Sequence, residues 1–207
     1  MNVEEFVAAH LPQPPVRVLE IGCGTGELAR ALATRGYTVT AIDPNAPEGA
    51  IFRRASLEDF STEQRFDAVI ASRSLHHIPD LAAGLRKIHS LLDQGGMLIL
   101  NEFAWDQMDE KTARWYRAQV PKPGPEDESL LHGTFSGAWV AEHEGLHDSK
   151  TMRRALEVLF QAQLFEWVPY IAEYHAKRHD LIDEESRLIR TGDINPLGFR
   201  YVGICQP

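Results

Sequence analysis

In the first half of the chain, short runs of β-branched and other apolar residues alternate with segments in which apolar residues recur at helical spacing. Runs of Val, Ile and Leu bounded by turn residues are typical of buried strands, whereas apolar residues three and four apart, as at Leu28, Ala31 and Leu32, predict a helix. The predicted strands cover residues 16–21, 37–42, 51–54, 66–71 and 97–101, and the predicted helices cover residues 3–11, 27–35 and 80–92.

The order of these elements predicts the fold class. Strands and helices that alternate with short connections are typical of a parallel sheet with helices on both faces. Two further strands are predicted over residues 165–170 and 199–205. We therefore expect an α/β fold with a Rossmann-like, mostly parallel seven-stranded sheet, whose ligands bind at the carboxyl ends of the strands.

The pattern changes after residue 103. Helices are predicted near residues 109–119, 138–144, 149–163 and 172–190, and a stretch rich in Pro, Gly and acids, residues 121–128, separates the first two. Long insertions in compact domains are usually functional. We interpret residues 1–207 as a single domain in which residues 104–147 form a helical cap insertion over the active site.

Composition and charge exclude several classes of protein. The 207 residues include 21 Lys and Arg against 30 Asp and Glu, a formal net charge of -9, and 43% are hydrophobic. A protein that binds nucleic acid through its phosphate groups needs a basic surface, so we expect no nucleic-acid partner. For the same reason we expect no binding to an anionic membrane surface. Residues 1–15 lack a secretory pattern, and no apolar run approaches the roughly 18 residues of a membrane span. Cys23 and Cys205 stand far apart, which favours free thiols and a cytoplasmic protein.

A glycine-rich segment, Gly22-Cys-Gly24-Thr-Gly26, lies between the first predicted strand and the next helix. Glycines let a backbone approach a ligand closely, and a helix N-terminus favours negative charge. The spacing is G-x-G-x-G, not the dinucleotide-binding G-x-G-x-x-G. Because Glu20 and Glu27 flank the loop and would repel a pyrophosphate, a ligand with a cationic head group is favoured.

The same region resembles a known family. VLEIGCGTGELARALATRGYTVTAIDPN resembles motif I and the following strand of class I S-adenosylmethionine (SAM)-dependent methyltransferases. The resemblance continues through FDAVIASRSLHHIPD and LLDQGGMLIL, over residues 16–101, and is strongest to the small-molecule, type 11/12-like group. It implies SAM as the cofactor, S-adenosylhomocysteine (SAH) as the product, and in-line methyl transfer to a small-molecule acceptor.

The resemblance also implies the cofactor contacts. Asp43 would accept both ribose hydroxyls, and Arg73 would reach the methionine carboxylate or the substrate. Ser56 stands where relatives often carry an Asp for the adenine amino group, which is a departure from the pattern. The implied cofactor-binding residues are Glu20, Gly22, Gly24, Gly26, Asp43, Pro44, Ser56, Leu57, Ala71 and Arg73.

Catalytic residues are harder to infer. A methyl sulfonium is already a strong electrophile, so the enzyme mainly orients the acceptor, and a base is needed only if the acceptor must lose a proton. The candidates are Glu102, His143 and Tyr170. The adjacent His76 and His77 cannot easily share one ion, and we predict no metal site.

Two other functions remain open from the residues. One is a nucleotide-dependent oxidoreductase, which the glycine spacing disfavours. The other is a non-catalytic SAM-fold binding protein or a partner subunit, which a retained cofactor pocket disfavours. The atom that accepts the methyl group, and the choice between monomer and homodimer, are not determined by the sequence.

Overall fold

A computed structural model of the protein describes residues 1–119 and 135–206. The strands are β1 (Arg17–Ile21), β2 (Thr38–Asp43), β3 (Phe52–Arg54), β4 (Phe66–Ser72), β5 (Leu92–Phe103), β6 (Phe160–Val168) and β7 (Gly198–Cys205). The α-helices in these ranges are α1 (Val3–His10), α2 (Glu27–Thr34), α3 (Leu81–Leu91), α4 (Glu110–Gln119), α5 (Phe135–Glu142), α6 (Ser149–Leu159) and α7 (Ile182–Thr191).

The strands form one seven-stranded sheet in the order β3-β2-β1-β4-β5-β7-β6. Strand β1 pairs in parallel with both β2 and β4, and the pairs β2–β3 and β4–β5 are also parallel. Successive strands are therefore added to one side of β1 up to β3 and to the other side from β4 onward. In α/β folds a ligand crevice opens at the point where the strand order reverses in this way, here between β1 and β4. The predicted fold class, a mostly parallel Rossmann-like sheet with helices on both sides, is confirmed.

The fifth strand begins earlier than the predicted residues 97–101, because β5 begins at Leu92 and runs through Gly95 and Gly96, where glycines would be expected to form a turn. The pairing of β5 with β4 shifts register between Phe66 and Ala68, so the extra residues are absorbed as an irregularity inside the strand. Gly95 has a φ of 75°, which suits glycine, and a Cβ on Gly96 would lie 2.9 Å from the Asp93 carbonyl oxygen.

Two boundaries in the second half also differ from the prediction. Helix α6 ends at Leu159, and β6 occupies Phe160–Val168 instead of residues 165–170, because pairing with β7 extends the edge strand into a stretch whose local pattern is helical. The helix predicted over residues 172–190 is broken into a π-helical turn (Ile171–His175), a short 3-10 turn and α7. Lys177, with a φ of 51°, lies at the break.

The chain divides into two compact units. Unit 1 comprises Met1–Glu102, Lys150–Phe165 and Arg200–Pro207, and unit 2 comprises Phe103–Ser149 and Glu166–Phe199. The interpretation of residues 104–147 as a cap within a single domain stays a prediction. The predicted break at residues 121–128 lies outside the described residues.

The core of unit 1 is built from strand and helix residues that the apolar pattern identifies. Phe6, Leu32 and Ile70 are fully or almost fully buried in one cluster. Each such side chain contributes about 1.5–3 kcal/mol by leaving water, so this cluster holds the sheet that carries the site. None of the helices in the described part of the chain has both the length and the apolar character needed to cross a membrane.

Candidate functional site

A cavity of about 400 Å³ lies in unit 1 at the carboxyl ends of β1, β2 and β4. Six residues implied as cofactor contacts line it: Gly22, Asp43, Pro44, Ser56, Leu57 and Arg73. Ser74, Ile78 and Pro79 also line the cavity and are not predicted from the sequence, and His77 is predicted only as half of a histidine pair. Only Ser74 carries a signal in the sequence, because it follows closely after the predicted strand at residues 66–71.

The glycine loop is held in a conformation that side chains would obstruct. Gly22 and Gly24 have φ values of 71° and 51°, in the left-handed region that favours glycine. A Cβ on Gly22 would overlap the Ser74 hydroxyl, whereas a Cβ on Gly24 would meet no described atom within 4 Å. The loop therefore packs tightly on one side and is open on the other.

Asp43 links the end of β2 to the glycine loop. Its Oδ2 accepts a hydrogen bond from the Gly24 N–H at 3.0 Å, and its Oδ1 accepts one from the Asn45 N–H at 2.7 Å. Each carboxylate oxygen has a second lone pair. The side chain is thus fixed in orientation and can still accept two further hydrogen bonds, as a ribose diol requires.

Glu20 lies buried on β1 beside this loop. It is 4% exposed, and no described residue makes a hydrogen bond to its Oε2. Burial, with a smaller contribution from Asp43, raises the pKa of Glu20 to about 8, although a hydrogen bond from the Ala29 backbone acts in the opposite direction. A buried carboxyl oxygen without a partner fits a site that receives either a proton or a cationic group.

The turn after β4 forms another wall of the cavity. Arg73 has a φ of 54°, which is unusual for a residue with a side chain. The Ser74 hydroxyl donates to the Ile21 carbonyl at 3.1 Å and so ties the turn to β1. Burial, and after it His76, lowers the pKa of His77, which keeps this cavity-lining imidazole neutral at pH 7.

Ser56, at the position where relatives often carry an Asp, is already engaged. Its hydroxyl donates to Asp59 Oδ2 at 3.0 Å and accepts the Asp59 N–H at 3.1 Å. The hydroxyl therefore shapes the loop that follows β3, while Leu57 adds a buried apolar side chain to the same wall.

The remaining implied contacts do not line the cavity surface that the described residues define. Ala71 is buried within β4, and Gly26 is the N-cap residue of α2, where a Cβ would overlap the Phe52 ring. Their role, like that of the other cofactor contacts, stays a prediction.

The three catalytic candidates fall in different units. Glu102, in unit 1, is fully buried and accepts hydrogen bonds from the turn after β4. His143 and Tyr170 are buried in unit 2, where His143 Nδ1 donates to the Trp139 carbonyl at 2.8 Å and Tyr170 stacks on Phe103 with centroids 4.6 Å apart. A catalytic role for any of them stays a prediction.

Unit 2 surrounds His175 with aromatic rings. The ring centroids of Phe103, Trp139 and Tyr170 lie 5.2, 5.3 and 5.6 Å from that of His175. Burial, with a smaller contribution from His143, lowers the pKa of His175 to about 4, so its imidazole is neutral at pH 7. Within the described ranges, no three His, Cys, Asp or Glu side chains converge as a metal site would require.

The comparison with protein families decides the classification. A model of the methyltransferase domain family matches residues 2–186, most of the chain. The chain belongs to this methyltransferase family. The predicted membership of the class I SAM-dependent superfamily is thereby confirmed.

Individual relatives agree with this classification. A ubiquinone biosynthesis O-methyltransferase from Xanthomonas campestris pv. campestris is 41% identical over 113 residues, which are 47% of this chain and 47% of that protein. The chain therefore spans about half the length of the curated relatives it matches.

Solved structures share the methyltransferase fold over nearly the whole chain. A SAM-dependent methyltransferase from Mesorhizobium loti superposes with a TM-score of 0.61 at 21% identity and covers 98% of both chains. The 1,6-didemethyltoxoflavin-N1-methyltransferase from Burkholderia thailandensis, solved with bound SAH, gives a TM-score of 0.59 at 18% identity, over 99% of this chain and 76% of that one. At these identities the similarity shows the fold.

Proposed function

We propose that the protein transfers a methyl group from SAM to a small organic acceptor. The observation that carries the proposal is the cavity itself, where an open glycine loop and an oriented Asp43 carboxylate meet at the carboxyl ends of β1 and β2. Family membership and the SAH bound by the Burkholderia relative support the same cofactor.

The residues present fit SAM. Asp43 has two unused acceptor positions for the ribose hydroxyls, and Leu57 gives an apolar wall for the adenine. The unpartnered Glu20 Oε2 suits the positive charge of the methionine moiety, and the Arg73 guanidinium suits its carboxylate. We assign the other loop and strand-end positions, Gly22, Gly24, Gly26, Pro44, Ser56 and Ala71, to the same site.

The chemistry requires little from the protein beyond placement. SAM supplies an electrophilic methyl group when it is bound. The protein holds the acceptor atom in line with the methyl–sulfur bond at about 3–3.5 Å and excludes competing water. A base is required only for acceptors that lose a proton. Of the candidates that the sequence singles out, Glu102, His143 and Tyr170, Glu102 fits a base least well, because it is fully buried and both of its carboxylate oxygens already accept hydrogen bonds.

The acceptor class follows from charge and from the relatives. A net charge of -9 disfavours a nucleic-acid acceptor, which needs basic contacts. The Xanthomonas relatives are O-methyltransferases and the Burkholderia relative is an N-methyltransferase. We therefore propose an uncharged or cationic small molecule with a hydroxyl or ring-nitrogen acceptor.

Calorimetric titration with SAM, SAH and NADH tests the proposal. We expect micromolar affinity for SAM and SAH and no heat with NADH, because the loop has the spacing G-x-G-x-G and not the dinucleotide-binding G-x-G-x-x-G. Incubation with methyl-labelled SAM and a panel of phenolic and heteroaromatic acceptors then identifies the accepting atom. Binding of NADH without SAM would contradict the proposal, and binding of SAM with no turnover on any acceptor class would support a non-catalytic binding protein.

A further inference from the structure

The carboxylate of Glu102, the penultimate residue of β5, is removed from solvent and is paired with a neighbouring segment. The side chain has no exposed area. Its Oε1 accepts the N–H of Ser74 at 2.9 Å and the N–H of Leu75 at 2.7 Å, and its Oε2 accepts from His76 Nδ1 at 2.6 Å. One acid at the end of β5 thus holds three consecutive residues that follow β4.

The segment held by Glu102 is also the wall of the cofactor cavity. Arg73, Ser74 and His77 line that cavity. The Arg73 N–H donates to the Asn101 carbonyl at 2.8 Å, and the Ser74 hydroxyl donates to the Ile21 carbonyl at 3.1 Å. The turn is therefore fastened to β5 on one side and to the end of β1, next to the glycine loop, on the other.

The conformation of this turn needs such support. Arg73 adopts the left-handed region, which non-glycine residues keep only where the surroundings determine it. The following 3-10 turn, Leu75–His77, is only three residues long. Short 3-10 segments have poorer hydrogen-bond geometry than α-helices, so side-chain hydrogen bonds matter more to them.

We propose that Glu102 is a positioning residue, which sets the shape of the SAM cavity by fixing the turn from Arg73 to His77 without itself lining the cavity. The inference rests on the proposed function, because it assigns the cavity to SAM. The chemistry of the carboxylate fits the role, since it only accepts hydrogen bonds and three donors converge on it.

Glu102→Gln is the informative substitution. The side chain keeps its size, but the carboxamide replaces one acceptor oxygen with an NH₂ donor. That donor must face either the two backbone N–H groups or His76 Nδ1, so a buried donor loses its partner or the imidazole must change tautomer. The turn should then loosen although no atom that touches the ligand has been removed.

Glu185 on α7 offers a matched control. It too has no exposed area, and it accepts N–H groups from Tyr170, Ile171 and Ala172 at 2.8–2.9 Å. It lies in unit 2 and does not line the cavity in unit 1. Glu185→Gln therefore changes a carboxyl group that is equally buried and also accepts three hydrogen bonds, without disturbing the turn.

The experiment is titration with SAH of the wild type, Glu102→Gln and Glu185→Gln, at a temperature where all three are folded. We expect at least a tenfold higher Kd for Glu102→Gln and less than a twofold change for Glu185→Gln. Amide hydrogen exchange of the unliganded proteins should accelerate at residues 73–77 in Glu102→Gln only. An unchanged Kd for Glu102→Gln, or equal weakening by both variants, overturns the inference.

A second variant keeps the test decisive if Glu102→Gln does not fold. His76→Phe retains a ring but removes the donor to Glu102 Oε2, and we expect a three- to tenfold higher Kd for SAH. The same affinity as the wild type would overturn the inference while leaving the proposed function intact. If the wild type itself does not bind SAH, the proposed function fails and this inference fails with it.

Discussion

At the scale of residues, three acids organise the candidate site: Glu20 and Glu102 are buried, whereas Asp43 is partly exposed. Glu102 is satisfied by backbone and imidazole donors, and Asp43 by two backbone N–H groups. Glu20 differs because its Oε2 has no partner among the described residues. The carboxylates of Glu102 and Asp43 thus fix neighbouring backbone segments through hydrogen bonds. The Glu20 carboxyl group is the one that we propose faces the positive charge of SAM.

The raised pKa of Glu20 predicts how stability depends on pH without cofactor. Between the unfolded value of 4.5 and the folded value of about 8, the folded protein binds the extra proton, so the free energy of unfolding falls as pH rises through this window. The loss is at most about 5 kcal/mol, at about 1.4 kcal/mol per pKa unit. Urea unfolding at pH 5, 6.5 and 8 measures it, and Glu20→Gln should flatten the profile. Parallel profiles for the two proteins would refute the assignment.

The sequence predicts the role of a residue when that role depends on its neighbours in the chain, and not when it depends on residues that are distant in sequence. Gly22 and Asp43 belong to a contiguous motif that ends on two predicted strands, and both line the cavity. The partnership of Glu102 with Ser74 spans 28 positions and depends on β4 and β5 lying side by side. A single sequence carries no signal for such a pairing, which is why the sequence predicts Glu102 only as a catalytic candidate.

At the scale of elements, the bounds of a helix or strand are predicted best where the spacing of apolar residues agrees with the glycines that begin and end the element. Helix α2 is predicted over residues 27–35 and observed at Glu27–Thr34, because the glycine loop precedes it and Gly36 follows it closely. The prediction of element bounds is poorest at β6, because pairing with β7 determines where that edge strand begins. Hydrogen bonds to another strand outweigh the local helical pattern there.

The glycine loop between β1 and α2 allows a paired test at this scale. Gly22→Ala places a methyl group within 2.8 Å of the Ser74 Cβ and in a left-handed conformation, whereas Gly24→Ala meets only the conformational cost of about 1–2 kcal/mol. We expect Gly22→Ala to lower the free energy of unfolding by at least about 1 kcal/mol more than Gly24→Ala. Thermal or urea unfolding of the two variants decides it, and equal losses would mean that the loop does not pack against Ser74 as described.

At the scale of the whole molecule, the chain joins a methyltransferase sheet to a second unit. The cavity that we propose for SAM lies within unit 1, and unit 2 carries the aromatic rings around His175. Family membership follows from the methyltransferase domain model that matches residues 2–186. The acceptor does not, because a shared fold supports many reactions and the chain matches only part of its curated relatives.

The measurement that tests the account most directly is titration of the wild type and of Asp43→Ala with SAH. Asp43 carries the two free acceptor positions assigned to the ribose, and its loss removes charge-assisted hydrogen bonds of about 1.5–3 kcal/mol each. We predict micromolar affinity for the wild type and at least a tenfold weaker affinity for Asp43→Ala, with both proteins folded by circular dichroism. Equal affinity in the two proteins, or no binding to the wild type, would contradict the proposed site.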